Sequence, residues 1–287
     1  MHWRLQYATL TAQDSLRWVR KMITSTSNSQ IKDIRKLNQR KYRKESGLFY
    51  VEGLRAITSA LENHARMEKL VFCAELLESD FGKNVLIRAE KIGIPILEVN
   101  RSVFESISLK EGPQGICAIV QQNLNDLLSN TRLSGLWIAL EGVQDPGNLG
   151  SILRTLDAVG GEGLILIGES TDAFHPTSVR ASMGAIFTMQ LFQADVTSFI
   201  KWKHSQTIEL VGAVCGEVSD YRSYNYAENT VLLMGSEQKG LPESLQQACT
   251  ALITIPMIGS VDSLNLANAT SVLLYEFYNQ HNPVRKK

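Results

Sequence analysis

The segment IPMIGSVDSLNLANATSVLLYEFY, residues 255–278, joins the end of an apolar strand to a glycine-containing loop and a long, mostly apolar helix. Ser263, Asn265 and Asn268 lie where that helix begins. Ordinary capping by Asp262 or Ser263 explains one polar side chain, but it does not explain two asparagines among small and apolar residues. The pattern therefore favours a tightly packed helix whose N-terminus is open to a ligand.

The residues that precede this segment alternate short apolar strands with helices. We predict strands at 136–143, 163–170, 208–215, 230–237 and 251–257, and helices at 149–159, 176–187, 242–248 and 263–280. Near-continuous runs of Val, Ile and Leu are typical of parallel strands that helices cover on both faces. Residues 136–287 are therefore expected to form an α/β domain around a parallel sheet.

The first half of the chain shows the same alternation on a smaller scale. Strands are predicted at 48–53, 69–75, 95–99 and 115–122, and helices at 54–63, 82–92 and 101–108. This pattern indicates a small α/β domain within residues 22–122. The polar, turn-rich residues 123–135 are interpreted as a linker, and residues 1–21 as a dispensable extension that precedes a second methionine, Met22.

Length and composition exclude several classes of protein. The chain has 287 residues, of which 44% are hydrophobic and 20% charged, and this is typical of a folded chain rather than a disordered or collagen-like one. No apolar run reaches the roughly 18 residues of a membrane span, and the N-terminus lacks the apolar core of a secretion signal. A cytoplasmic protein is therefore predicted. Four widely spaced cysteines predict reduced thiols and disfavour a structural zinc site.

The charges balance overall but not locally. The chain carries 29 basic and 29 acidic side chains, yet residues 1–60 hold 12 of the former and 4 of the latter. The basic charge is densest in KDIRKLNQRKYRK, which contributes Lys32, Arg35, Lys36, Arg40, Lys41, Arg43 and Lys44. Cations grouped in this way attract polyphosphate. The same run also fits a solvated helix face, and the pattern alone does not decide between the two.

Two further segments place polar residues directly after predicted strands. In GVQDPGNLGSILRTLDAVGG, residues 142–161, Asn148 is a predicted N-cap, and Arg154 would face the same cleft with a planar grip on phosphate or carboxylate. In LLMGSEQKGLP, residues 232–242, Glu237 follows a glycine at a strand end. Each segment alone also fits an ordinary interpretation, in which Asn148 and Glu237 cap helices and Arg154 is exposed.

All three polar segments follow strands of one predicted sheet. Ligands of open α/β sheets bind outside the carboxyl ends of the strands, so the three segments are expected to converge on a single cleft. The sequence contains no P-loop, no GxGxxG motif and no Ser-His-Asp or Cys-His arrangement. The cleft is therefore predicted to bind a ligand without any of these common motifs.

Taken in order, NLGSILRT, LLMGSEQKGL and IPMIGSVDSLNLANATSVLLYE closely resemble the three motifs of SpoU-type RNA 2′-O-ribose methyltransferases, within the SPOUT class. The intervening HPTSVRASMGAIF, residues 175–187, resembles the segment that this family carries between its first two motifs. Residues 40–120, which include GLFYVEGLRAI, resemble the small substrate-binding domain, similar to ribosomal protein L30, that precedes the catalytic domain in ribosomal-RNA members.

The resemblance implies a fold, a cofactor and an assembly. The catalytic domain would be a parallel sheet whose C-terminal part is threaded into a deep trefoil knot, and the enzyme would be a homodimer whose interface helps to build the active site. S-adenosylmethionine would be the cofactor, with no metal, and would contact Met234, Gly235, Ile255, Met257 and Leu264. The reactive end would comprise Asn148, Arg154, Glu237, Ser263 and Asn265.

The same resemblance implies roles for these residues and a substrate. Arginine stays protonated at neutral pH and is a poor base, so Arg154 either removes the hydroxyl proton or anchors the neighbouring phosphate. Glu237 would hold Asn148 or Arg154, while Ser263 and Asn265 would orient the ribose or the donor. The basic run would bind ribosomal RNA. The alternatives are a transfer-RNA ribose methyltransferase and a non-catalytic RNA-binding or ribosome-assembly protein.

Overall fold

The computed structural model describes residues 22–129 and 132–283, which form two α/β domains in contact with each other. The predicted extension, residues 1–21, lies outside the described residues. Within them, no helix is both long and apolar enough to cross a membrane. The four cysteines are free thiols, and Cys73 and Cys117 are buried.

The small domain is a four-stranded sheet with helices packed against it, as predicted. Its sheet has the order β1-β4-β2-β3, in which β4 is antiparallel to β1 and β2, and β3 is parallel to β2. The elements are α1 (Ser29–Lys36), α2 (Arg40–Ser46), β1 (Leu48–Glu52), α3 (Leu54–Glu62), β2 (Met67–Phe72), α4 (Asp80–Lys91), β3 (Ile96–Glu98), α5 (Arg101–Ile107) and β4 (Ile116–Gln121).

The large domain is an eight-stranded sheet in which every pairing is parallel. Its strand order is β10-β12-β9-β11-β6-β7-β8-β5. The elements are β5 (Asn125–Asp126), β6 (Leu136–Glu141), α6 (Pro146–Ala158), β7 (Gly163–Ile167), α7 (Pro176–Ala181), β8 (Gln190–Ala194), α8 (Val196–His204), β9 (Glu209–Ala213), β10 (Ser219–Asp220), β11 (Thr230–Met234), α9 (Glu243–Ala248), β12 (Ala251–Thr254) and α10 (Leu266–His281).

The structure adds elements that the sequence pattern did not indicate. Strand β8 and helix α8 lie in a region for which neither a strand nor a helix was predicted. The strand gave no clear signal because glutamines interrupt its apolar run. The predicted linker also contributes structure. Its residues Asn125 and Asp126 pair with β8, and Leu127 is completely buried. Part of residues 123–135 therefore belongs to the large sheet.

The C-terminal part of the chain crosses back over the sheet. Strand β11 lies between β9 and β6, β12 lies outside β9, and α10 then returns to pack on α6. The hydroxyl groups of Thr155 in α6 and Ser271 in α10 form a hydrogen bond of 3.1 Å. This path is the one that the predicted trefoil knot requires, and it brings the start of α10 beside the start of α6.

A buried ion pair joins the two domains and corrects one prediction. Arg43 was predicted to bind RNA, but its side chain is only 1% exposed, and its Nη2 lies 2.7 Å from Asp172 Oδ2. Its Nη1 also donates to the carbonyl of Leu37. Other contacts that cross the boundary include the rings of Phe49 and Phe174 at 4.7 Å, the hydrogen bond from Ser59 Oγ to Gly184 O and the hydrogen bond from Arg40 Nη2 to Ser170 O at 3.2 Å. Arg43 is thus unavailable to a phosphate.

The remaining basic residues of the run are exposed on two helices rather than one. Helix α1 ends at Lys36 and α2 begins at Arg40, so no single helical stripe exists. The exposed members are Lys32, Arg35, Lys36, Arg40, Lys41 and Lys44. Lys36 forms an exposed ion pair with Asp33. Removing Arg43 from the predicted set leaves six cations that are accessible to solvent.

The substitution Arg43→Met should destabilise the protein, because it leaves the largely buried Asp172 carboxylate without its partner. We expect the free energy of unfolding to fall by about 3 kcal/mol, measured by urea denaturation. R43M/D172N, which removes both charges, should recover part of the loss. Lys36→Met breaks an exposed pair and serves as the control, with no change expected. Equal stability of R43M and the natural protein would contradict this role.

Candidate active site

A hydrogen-bonded chain of three side chains links the three segments that follow strands β6, β11 and β12. Asn148 Nδ2 donates to Glu237 Oε1 at 2.7 Å, and Asn265 Nδ2 donates to Asn148 Oδ1 at 3.0 Å. Asn265 Oδ1 in turn accepts from the backbone N–H groups of Ala267 and Asn268. The expected convergence of the three segments on one place is therefore present.

Chemistry at both ends determines the direction of this chain. An ionised Glu237 only accepts hydrogen bonds, so Asn148 must turn its NH₂ group toward it. The first N–H groups of α10 only donate, so Asn265 must turn its oxygen toward them. The Oδ1 atom of Asn148 is then free to accept the hydrogen bond that the NH₂ group of Asn265 donates. The three side chains therefore hold one another in a single orientation.

The helix starts differ in detail from the prediction. Helix α6 is capped by Asp145, whose carboxylate accepts from the N–H groups of Gly147 and Asn148, so Asn148 is not the N-cap. Helix α10 is capped by Asn265 rather than by Asp262 or Ser263. Because Asp145 performs the capping of α6, the side chain of Asn148 is free to bind Glu237.

A cavity of about 420 Å³ opens beside this chain of hydrogen bonds. All five residues predicted to contact the cofactor line it, together with Ser263 and Glu237. Its volume falls within the range of roughly 300–1,000 Å³ that is common for small-molecule sites. Further lining residues were not predicted from the sequence, namely Ala213, Val214 and Cys215 at the end of β9, Lys239 in the β11 loop and Gln246 in α9. For Ala213, Val214 and Cys215, the available signal in the sequence was the apolar strand IELVGAVC, whose polar end is Cys215.

Glycine is required where the β11 loop folds back on itself. A Cβ on Gly235 would lie 2.2 Å from the carbonyl carbon of Gly240, which is too close for any side chain. Gly240 N donates to Ser236 O at 2.9 Å, and Lys239 N donates to Ser236 Oγ at 3.2 Å. This tight loop forms one wall of the cavity and leaves Gly235 facing it without a side chain.

Lys239 of the β11 loop influences a carboxylate at the end of the neighbouring strand β6. Glu141 ends β6 and is half-buried. Burial raises the pKa of its carboxyl, and the positive charge of Lys239 acts in the opposite direction. The lysine of the loop therefore lies within electrostatic reach of the end of β6.

Arg154 is placed differently from the other predicted site residues. It lies six residues after Asn148, which is about 120° away around a helix of 3.6 residues per turn. Its side chain is exposed, and within residues 22–129 and 132–283 it has no side-chain hydrogen bond or ion pair. Within a single chain, Arg154 and Asn148 thus do not share a cleft as predicted.

Comparison with known protein families identifies both domains. Residues 135–275 match the SpoU rRNA Methylase family, and residues 28–118 match the MRM3-like substrate binding domain. These two ranges coincide with the large domain and the small domain of the structure.

Two relatives extend the similarity over most of the chain. The 23S rRNA (uridine(2479)-2′-O)-methyltransferase of Streptomyces viridochromogenes is 31% identical over 254 residues, which cover 85% of this chain and 87% of the relative. The 23S rRNA (guanosine(2553)-2′-O)-methyltransferase RlmP of Bacillus subtilis is 25% identical over 256 residues, which cover 89% and 98% of the two chains.

Solved structures share the whole architecture. The AdoMet-bound rRNA methyltransferase from Sinorhizobium meliloti superposes with a TM-score of 0.83 and 37% identity, covering 91% of this chain and 98% of that one. The SpoU methyltransferase AviRb from Streptomyces viridochromogenes, in complex with AdoMet, has a TM-score of 0.79 and 28% identity, covering 88% and 99%. With these similarities and its three motifs gathered at one site, the chain belongs to the SpoU rRNA methylase family.

Proposed function

We propose that this protein transfers a methyl group from S-adenosylmethionine to the 2′-oxygen of a ribose in 23S-type ribosomal RNA, in the cytoplasm. The observation that carries the proposal is the hydrogen-bonded set of Asn148, Glu237 and Asn265 at the rim of the cavity. Both relatives named above act on 23S rRNA by their names, and the small domain matches a substrate-binding domain.

The cavity fits S-adenosylmethionine in volume and in chemistry. Met234, Ile255 and Leu264 give apolar walls suited to an adenine ring. Glycine at position 235 lets the β11 loop pack closely on Gly240 beside the cavity, where a Cβ would collide with the backbone. When bound, S-adenosylmethionine supplies a methyl group on a sulfonium sulfur, and its transfer to a ribose oxygen releases the hydroxyl proton.

The residues of this chain contribute mainly by positioning. Fixing an acceptor hydroxyl in line with a donor supplies much of the acceleration of a displacement reaction. Glu237 holds Asn148, and Asn265 holds both Asn148 and the start of α10, so the rim of the cavity keeps a single geometry. Ser263 lines the same cavity and would orient the donor or the ribose.

RNA affinity would come from the six exposed cations of the basic run, which are Lys32, Arg35, Lys36, Arg40, Lys41 and Lys44. Phosphate contacts of this kind position the substrate without reading its sequence. The small domain carries this run at its start, so it would hold the RNA while the large domain acts on the ribose.

We further propose a homodimer in which Arg154 acts on the partner's site. Arg154 is exposed, and among the described residues it forms no side-chain hydrogen bond or ion pair with the other site residues. Large apolar side chains are also exposed on the loop before α10 and along that helix, namely Met257, Ile258, Val261, Leu264, Tyr275 and Tyr278. Exposed apolar surface of this kind marks protein–protein interfaces. A second copy that covers it would bring its own Arg154 toward the cavity.

Gly235→Ala should weaken donor binding strongly, because the added Cβ collides with the backbone of Gly240 and displaces the loop. We expect the affinity for S-adenosylmethionine to fall at least tenfold, measured by calorimetry. Gly259→Ala is the matched control, since a Cβ at that position meets no atom within 4 Å. Unchanged binding by G235A would place the donor elsewhere.

The methylation reaction itself tests the function and the role of the hydrogen-bonded chain. The natural protein should transfer labelled methyl groups to 23S-type rRNA isolated from a strain that lacks the gene. Asn148→Ala and Glu237→Ala should each lower the rate about 100-fold, since a misplacement of about 1 Å costs that much. Glu237→Gln keeps an acceptor oxygen and should retain more activity than E237A. Labelling of transfer RNA alone, or of no RNA, would contradict the proposal.

Complementation between two inactive variants tests the role of Arg154 and the dimer together. Arg154→Ala should abolish methyl transfer while leaving donor binding intact. In a heterodimer of R154A and G235A, made by co-expression with two tags, one site combines an intact donor cavity with the partner's arginine. We expect that site to be active. If Arg154 served its own chain, or the protein were a monomer, the mixed preparation would stay inactive.

A further inference from the structure

A second cavity, also of about 420 Å³, lies between the two domains and away from the proposed donor site. One wall comes from the end of β1, the start of α3 and the loop before β4 in the small domain. The other wall comes from α7 in the large domain. The two walls of this interdomain groove lie largely in the segments GLFYVEGLRAI and HPTSVRASMGAIF, none of whose residues belongs to the proposed donor site or to the basic run.

Three cations line the interdomain groove without an acidic partner. Arg55 and Lys110 belong to the small domain and Arg180 to the large domain. Among the described residues, none of the three side chains forms an ion pair or a side-chain hydrogen bond. Unpaired cations that face one another across a groove favour a polyanion between them.

The acidic side chain of the groove is already engaged. Glu52 accepts hydrogen bonds from Ser108 Oγ at 2.6 Å, from the N–H group of Leu109 at 2.9 Å and from Tyr50 Oη at 3.1 Å. These contacts satisfy both carboxylate oxygens. Glu52 therefore stabilises the wall instead of pairing with the three cations, and the net charge of the groove stays positive.

His175 lines the same groove with an uncharged imidazole. Burial lowers the pKa of its imidazole, the charge of Arg43 lowers it further, and Asp172 acts in the opposite direction. Its Nδ1 accepts a hydrogen bond from Thr177 N at 3.2 Å, which requires an unprotonated nitrogen. The positive charge of the groove near neutral pH thus comes from Arg55, Lys110 and Arg180.

The position of the groove connects the basic run with the proposed reactive end. Its lining includes Asn38, which lies between α1 and α2 of the basic run. It also includes Thr177, whose methyl group lies 3.9 Å from the place that a Cβ would occupy on Gly147. Gly147 is the neighbour of Asn148. A strand bound in the groove would therefore lie close both to the basic run and to the proposed reactive end.

The shape of the groove suits an unpaired strand. Duplex RNA is bound mainly through the shape of its surface, whereas an unpaired strand can place splayed bases in a groove. Leu109 and Met183 expose apolar side chains in the same groove as the three cations. The groove therefore offers partners both for phosphates and for unstacked bases. The contacts between Arg43 and Asp172 and between Ser59 and Gly184 hold the two walls together.

We propose that the interdomain groove binds a single-stranded segment of the substrate RNA next to the acceptor nucleotide, with Arg55, Lys110 and Arg180 on its phosphates. This inference rests on the proposed RNA substrate and extends it by assigning a path and a form to the bound strand. The small domain then contributes one side of the acceptor channel in addition to the exposed basic run.

The triple variant R55Q/K110Q/R180Q tests the groove. We measure its binding to a twelve-nucleotide oligouridylate by fluorescence anisotropy over a range of salt concentrations. Three lost phosphate contacts should reduce the slope of log affinity against log salt by about 2, with at least a tenfold loss of affinity. Donor binding, measured by calorimetry, should not change. The control K83Q/K91Q/K201Q removes the same charge from exposed lysines outside the groove and should keep most of the affinity.

The outcomes separate this inference from the proposed function. If the natural protein methylates 23S-type rRNA but the triple variant binds oligouridylate like the control, the groove is not the RNA path. The same conclusion follows if only binding to a duplex is weakened. If the natural protein methylates no RNA, the proposed function fails first. R55Q and R180Q, tested singly, should each show part of the loss, because the two walls carry one arginine each.

Discussion

The hydrogen-bonded chain from Glu237 through Asn148 to Asn265 is the interaction on which the site depends. It joins loops that follow three different strands, separated by many residues in sequence. Its polarity is set by a carboxylate at one end and by the N–H groups of α10 at the other. Because each member can bond in only one orientation, the loops are held in register although the side chains themselves lie at the surface.

The path of the polypeptide through the sheet makes this arrangement possible. Strand β11 lies between β9 and β6, so the loops of Glu237 and Asn148 leave the sheet side by side. Helix α10 returns from beyond β12 to pack on α6, and this return places Asn265 next to Asn148. The close fold of Gly235 on Gly240 then shapes one wall of the cavity beside them. The close backbone packing of the β11 loop and the return of α10 onto α6 thus both shape the same site.

The contact between the domains plays a structural part that charge alone would not suggest. Arg43 lies inside a dense basic run, yet it is buried against Asp172 of the other domain. Burying one cation of the run makes it a structural link, while its neighbours stay available to solvent. The same contact joins the small domain to the large domain, so it helps to fix the position of one relative to the other.

Several features followed from the sequence for clear physical reasons. Long apolar runs predicted the strands of both sheets, since a covered parallel strand must be apolar on both faces. Strand β8 was missed because Gln190 and Gln193 break its apolar run, and the two-residue β5 was absorbed into the linker because such short elements leave no periodic signal. The residues predicted to contact the donor line one cavity, but the cap of α6 was misassigned because Asp145 and Asn148 are both good caps.

The sequence by itself determined the fold class, the two domains, the identity of the polar residues after the strands and the excess of positive charge near the N-terminus. Only the tertiary structure decided which of these residues meet. It paired Asn148 with Glu237 and Asn265, buried Arg43, left Arg154 exposed on α6 and created a basic groove from both domains. These outcomes depend on contacts between residues far apart in the chain, and such contacts leave no trace in local periodicity or spacing.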